Sequence, residues 1–218
     1  MIKEIMHIES EKKISIDVKN LVNKIAGKLP SEIVLIYSIQ YKSYAENLMK
    51  ELKKRGKNVE MPQIDNTYNT GQVLGCSKLK TDKDVLLIGS GRFHAINLAA
   101  SSGKEVWVLD NENLSKITRG EVDAMMKKKK MLVNKFLHAG SVGIIVSSKY
   151  GQEKMKLAKE IKTKIGKKGK KAFIFLADNI NIWELENFKA DIWVNTACPG
   201  LFLDSNKIVN YGDVEDFL

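Results

Sequence analysis

Val142-Gly143-Ile144-Ile145-Val146 is followed by Leu157, Ile161 and Ile165 at four-residue spacing, and then by Ala172-Phe173-Ile174-Phe175-Leu176. Short continuous apolar runs bounded by glycine and polar residues read as buried strands, and the spacing between them is that of a helix. Strand, helix and strand in this order make a crossover unit with parallel neighbours. Gly166 is expected to close the helix. Residues 182–188 are expected to form a short helix, and Ile192-Trp193-Val194 another strand.

The upstream half repeats the alternation. Val18, Leu21, Val22 and Ile25 share a helical face, with Asp17 placed to cap it. Ile33-Val34-Leu35-Ile36-Tyr37 is a strand, and Tyr44, Leu48 and Leu52 mark a helix that stops at Arg55-Gly56. Two more strands are expected at 85–88 and 106–109, joined by a short helix around 95–100. A Lys-rich helix spans roughly 121–138, with Val122, Met125, Met126, Leu132 and Phe136 as its inward residues. The fold class is therefore α/β, with two tandem small parallel-sheet domains, 1–118 and 119–218.

Composition narrows the function classes. The 218 residues are 44% hydrophobic and 28% charged, with a net charge of +10 from 36 Lys and Arg against 26 Asp and Glu. No apolar run approaches the length of a bilayer span, and Met1-Ile2-Lys3-Glu4 lacks the apolar core of a signal peptide, so no membrane association and a cytoplasmic location are expected. Lysine runs at 127–130 and 159–171 are read first as solvated surface, and alternatively as a face for an acidic partner. They lack interleaved aromatics, so direct nucleic-acid binding is not expected.

Two cysteines, Cys76 and Cys198, are too few for a disulfide framework or a four-ligand zinc site. Each sits beside a glycine or proline turn near an apolar stretch. Buried thiols and metal-ligating thiolates are both open readings. Gly89-Ser90-Gly91-Arg92-Phe93-His94 follows a strand and begins like a dinucleotide fingerprint, but His94 stands where that pattern needs a small residue. A tight strand-to-helix turn is the plain alternative. Arg92 has a fork suited to a carboxylate or phosphate, and His94 is either a proton relay, a substrate contact or a structural residue. Gln152 lies at a strand-to-helix junction, as a polar substrate contact or a residue of the helix's first turn. In open parallel sheets, ligands bind beyond the carboxyl ends of the strands, and these phrases sit there.

Four phrases now stand in order: Gly71-Gln72-Val73-Leu74-Gly75-Cys76, Ile88-Gly89-Ser90-Gly91-Arg92-Phe93-His94, Gly143-Ile144-Ile145-Val146-Ser147-Ser148-Lys149-Tyr150-Gly151-Gln152, and Val194-Asn195-Thr196-Ala197-Cys198-Pro199. Together they resemble the archaeal diphthamide synthase family, the 2-(3-amino-3-carboxypropyl)histidine synthases, from about residue 14 onward. The resemblance implies a non-conventional radical S-adenosylmethionine enzyme of three similar Rossmann-like domains, each giving one cysteine to a [4Fe–4S] cluster. By that likeness the chain corresponds to the second and third domains. Cys76 and Cys198 would ligate the cluster, and Gly89, Ser90, Gly91, Arg92, His94 and Gln152 would line the S-adenosylmethionine pocket. The implied reaction cleaves the bond from sulfur to the γ-carbon and adds the 3-amino-3-carboxypropyl group to a histidine of translation elongation factor 2.

Two departures from the family shape this expectation. The first domain and its cysteine are expected from a separate chain or from another subunit of an oligomer. Gly200 stands where the family commonly carries Arg, so this chain has either lost that hold on the substrate's carboxylate or replaces it with Arg92. A non-catalytic subunit that supports a partner's cluster, a diverged binding protein without one, and a nucleotide-binding regulator are the competing readings.

Overall fold

The Asp17 carboxylate accepts the Asn20 amide at 3.0 Å and starts α1 (Val18–Ile25), as its position predicts. The structure, a computed structural model, describes residues 10–65, 67–75, 77, 79–149 and 151–218. It divides into two compact units, Met1–Val122 and Asp123–Leu218.

In the first unit, β1 (Glu32–Tyr37), α2 (Lys42–Lys54), β2 (Asn58–Glu60), β3 (Asp84–Ile88), α3 (Arg92–Ser102), β4 (Val106–Asp110) and β5 (Asn113–Lys116) follow in turn. The sheet order is β2-β1-β3-β4-β5. The first four strands are parallel, and β5 runs antiparallel to β4. Both faces of β1 are covered, because its residues point alternately to two layers. Ile33 and Leu35 pack with Leu21, Leu48 and Leu52 of α1 and α2 on one side. Val34 and Ile36 pack with Ala95 and Leu98 of α3 on the other. Each buried leucine, isoleucine or valine among them contributes about 1.5–3 kcal/mol before chain entropy is charged against it.

α4 (Arg119–His138) leads into the second unit, where β6 (Ser141–Ser147), α5 (Met155–Lys167), β7 (Lys171–Ala177), α6 (Ile182–Leu185), β8 (Ile192–Asn195), β9 (Ile208–Asn210) and α7 (Tyr211–Val214) follow. All four strands are parallel, in the order β7-β6-β8-β9. Leu132 and Phe136 of α4 and Ala158, Ile161 and Ile165 of α5 are buried. Gly143 of β6 pairs in register with Phe173 and Trp193. The Trp193 indole lies over it, with Cδ2 only 2.7 Å from where a β-carbon would stand. Phe175 and Phe188 meet that ring edge-on, at centroid distances of 4.6 and 6.3 Å.

Several boundaries differ from the sequence reading. Gly166 lies inside α5, and the chain turns instead at Gly169, whose φ of +75° suits a residue without a side chain. Met126 is 39% exposed rather than inward. α6 stops at Leu185. β2, β5 and β9 escaped the pattern because three or four partly polar edge residues carry too little periodicity. Among the described residues, no helix is long and apolar enough to cross a membrane.

Candidate functional site

Each unit carries a set of polar and glycine residues beyond the carboxyl ends of its parallel strands. In the first unit, β1 ends at Tyr37, whose amide donates to the Gly71 carbonyl at 2.8 Å, and whose carbonyl accepts the Val73 amide at 2.8 Å. Residues 71–73 thus extend alongside β1, joined by a parallel bridge at Gln72. Gln72 is buried, and its side-chain oxygen accepts the amides of Tyr68 and Asn69 at 3.2 and 3.1 Å, which folds the preceding loop.

That path brings Gly75 against His94 of α3. A β-carbon on Gly75 would lie within 3.0 Å of His94 Cδ2 and Cε1, and one on Gly91 would lie 2.7 Å from His94 Nδ1. The imidazole therefore fits between two backbones that only glycine permits at this spacing. Ser38, Gly75, Gly89, Gly91 and His94 line a cavity of about 40 Å³, room for a few waters and smaller than a nucleoside. Burial pushes the His94 pKa down, which favours the neutral ring. α3 starts at this cavity with Gly91 as its cap and no capping side chain. Ser90 is exposed beside it.

Arg92 does not line the cavity. Its Nε and Nη2 donate to the two carboxylate oxygens of Glu121 at 2.5 and 2.9 Å, and Nη1 donates to Ser115 Oγ at 3.0 Å. This ion pair, with the Thr118 amide also donating to Glu121, holds the Glu121 carboxyl down to about 2. The fork expected to receive a ligand carboxylate is occupied by a protein one. Glu121 had no role in the sequence reading, because a residue 29 positions away leaves no local signal.

In the second unit, Gln152 lies in the turn after β6, three residues before α5, rather than in the helix's first turn. Cys198 follows β8, the neighbour of β6, so the two residues share one edge of the sheet. Residues 192–197 are all buried, whereas Cys198 is a free, exposed thiol. Its loop is built from behind. The buried Asn195 amide donates to the Cys198 carbonyl at 2.7 Å and to Asn210 Oδ1 at 2.8 Å, while its own oxygen accepts the Ala197 amide at 2.9 Å. Asn210 donates in turn to the Pro199 carbonyl at 3.0 Å, and Thr196 Oγ1 to the Ile145 carbonyl at 2.8 Å. Asn195 and Thr196 were visible as polar residues ending an apolar strand. Asn210 was not, since only pairing of β9 with β8 brings it there.

Asn195→Ala is expected to cost about 2–4 kcal/mol, because it strands the buried Ala197 amide and removes the donor to the part-buried Cys198 carbonyl and to Asn210 Oδ1. Urea unfolding measures the cost. A loss below about 1 kcal/mol would show that the loop holds its shape without this amide.

Cys76 lies outside the described residues. Among the described residues, no three His, Cys, Asp or Glu side chains stand together as a metal-holding group.

A family model described as "Putative diphthamide synthesis protein" matches residues 3–211. The 2-(3-amino-3-carboxypropyl)histidine synthase of Pyrococcus horikoshii is 30% identical over 182 residues, which cover 81% of this chain and 53% of that protein. The protein of the same name from Methanocaldococcus jannaschii is 27% identical, with 92% of this chain and 54% of that one covered. The crystal structure of Dph2 from Pyrococcus horikoshii with a 4Fe-4S cluster superposes with a TM-score of 0.81 at 28% identity, over 93% of this chain and 62% of that chain. The chain thus spans about half the length of the curated relatives it matches. With nearly its whole length matched by the family model, this chain belongs to the diphthamide synthesis protein family.

Proposed function

We propose that this chain works in diphthamide synthesis as part of a 2-(3-amino-3-carboxypropyl)histidine synthase. In this reading Cys198 and Cys76 are thiolate ligands of a [4Fe–4S] cluster, S-adenosylmethionine is the group donor, and a histidine of elongation factor 2 is the acceptor. One observation carries it: an exposed thiol stands on a rigidly built loop at the carboxyl edge of a parallel sheet, in a chain similar to a Dph2 whose crystal structure holds a 4Fe-4S cluster.

Cys198 fits one corner of such a group. A thiolate is the usual protein donor for iron–sulfur clusters, and the Asn195–Asn210 network supplies the outer support that orients a ligand. These 218 residues contain two cysteines, so a site of three thiolates takes its third from outside them. When bound, the cluster supplies the electron that breaks the bond from sulfur to the γ-carbon.

The remaining roles fall to side chains and backbone. Gly75, Gly89 and Gly91 let a crowded ligand approach the first unit's backbone closely. Neutral His94 faces a sulfonium without adding a like charge. The uncapped start of α3, beside Ser90, offers amides to a carboxylate. Gln152 offers a neutral polar contact at the Cys198 edge. Arg92 is held by Glu121, so the carboxylate recognition that Gly200 cannot give rests on those amides or on the partner chain. The lysine-rich surface suits an acidic region of the elongation factor.

A supporting subunit is the second reading, favoured by the two-thiol count and by Gly200. The test uses the chain reconstituted anaerobically with iron and sulfide, elongation factor 2, S-adenosylmethionine and dithionite, with and without a polypeptide supplying the third cysteine. Mass spectrometry of the factor is expected to show the added 3-amino-3-carboxypropyl group only in the complete mixture. Transfer by the chain alone would overturn the need for a partner. Neither transfer nor 5′-methylthioadenosine from the complete mixture would leave the supporting role.

A further inference from the structure

We infer that the outward face of α5 is a steering surface that captures the protein acceptor of the proposed reaction through an acidic patch on that protein. The partner's identity rests on that reading, whereas the surface stands on its own observations. Residues 153–171 hold nine lysines against Glu153 and Glu160, so seven of the chain's net ten positive charges fall in this one stretch. α5 buries Ala158, Ile161 and Ile165. On the opposite side Lys156, Lys159, Thr163 and Lys167 follow at three- and four-residue intervals, over about 16 Å of helix. Lys162 and Lys164 flank that line and Lys154 precedes it. All six of these lysines are exposed.

Two further lysines serve the fold. Lys168 Nζ donates to the Phe217 carbonyl at 2.6 Å, and Lys170 Nζ donates to the Phe136 and Leu137 carbonyls at 2.8 and 2.7 Å, at the end of α4. Among the described residues, the six face lysines make no side-chain hydrogen bond or ion pair.

A lysine-rich composition does not by itself produce such a face. α2 also has thirteen residues, yet there Glu46 stands four before Lys50, and Glu51 pairs with Lys54 at 2.6 Å. Pairs at these spacings steady a solvated helix. In α5, Lys156, Lys159 and Lys162 are like-charge neighbours, which oppose it. The one acid within α5, Glu160, lies towards Tyr211 of α7. The Tyr211 phenol is pushed up to about 12, chiefly by its hydrogen bond to Glu215, with the Glu160 charge adding to it.

Place and composition select the partner. α5 begins three residues after Gln152, at the carboxyl edge of the sheet that also carries Cys198, so a protein seated on its first turns abuts the candidate site. The stretch contains no Arg and no aromatic residue. Planar Arg forks and stacking rings are the usual means of holding a nucleic acid, whereas the lysine ammonium is a hydrated point charge. A field of such charges speeds encounter with an acidic protein surface without locking it in place, which suits a substrate that must leave.

Stopped-flow mixing of the full chain with elongation factor 2 tests the surface. Lys156→Glu, Lys159→Glu and Lys162→Glu together are expected to slow association at least about tenfold at low ionic strength. The deficit should shrink with added salt, which shortens the screening length to about 3 Å at 1 M. Glutamine at the same three positions keeps good helix formers and should still slow association, which separates lost attraction from a folding defect. Lys19→Glu, Lys50→Glu and Lys53→Glu, exposed on α1 and α2, change the net charge equally and should slow it by less than about twofold. Binding needs no cluster, so a failure of the cluster reading would leave this result standing. Equal slowing by the two glutamate triples would overturn the proposal, because net charge rather than this face would then be the cause. So would an unmodified chain that does not associate with the factor, or a short RNA duplex that binds the face more tightly than the factor does.

Discussion

Cys198→Ala is expected to remove most of the thiolate-to-iron absorbance that the chain acquires on anaerobic reconstitution with iron and sulfide. The side chain is exposed, and the loop behind it is held by Asn195, Thr196 and Asn210 rather than by the thiol. Folding stability should therefore change by no more than about 0.5 kcal/mol, as for other surface substitutions. Losing a ligand should cost more than the roughly 10–100-fold that outer-shell changes cost a metal site. Cys76→Ala should have a similar effect. Cys198→Ser should restore little, because a hydroxyl is a harder donor than a thiolate. Iron content and absorbance that stay unchanged in both alanine variants would reject the ligand assignment, provided thermal unfolding shows both variants folded.

The second large effect concerns the sheet that carries this edge. Gly143→Ala is expected to destabilise the second unit by about 3 kcal/mol, at the upper end of overpacking costs. The new methyl group would enter the Trp193 ring, which is itself 2% exposed and bounded by Phe175 and Phe188. Close-packed interiors have no slack to move such a ring aside. The mechanism has its own signature in a double-mutant cycle. Trp193→Leu alone loses buried aromatic surface, but combined with Gly143→Ala it should lose less than the sum of the two, because the smaller side chain vacates the methyl's space. Additive losses in urea unfolding would show that the clash is not the cause.

Several features were legible from sequence order alone. The strands at 33–37, 85–88, 142–146 and 192–194 are apolar runs too short for helices, and the helices at 42–54 and 155–167 keep a four-residue apolar spacing. Those two periods need no long-range information, because they report which local geometry can bury the residues present. The order of the four glycine- and cysteine-bearing phrases likewise pointed to the family before any coordinate was known. Gly143 gave no warning, since a glycine in a strand looks like a weak point until the ring above it is seen.

What the chain order determined by itself was its alternation of strands and helices, its two thiols and the placing of its glycine phrases at strand ends, because each follows from local period and composition. Tertiary structure decided the rest: that Arg92 is engaged by Glu121, that His94 sits against Gly75, that Asn210 braces the Cys198 loop, and that the apolar β7 lies at an edge instead of the middle of its sheet. Each of these depends on which distant segment becomes a neighbour. That choice is made by burying faces against one another, and no window of sequence contains both partners.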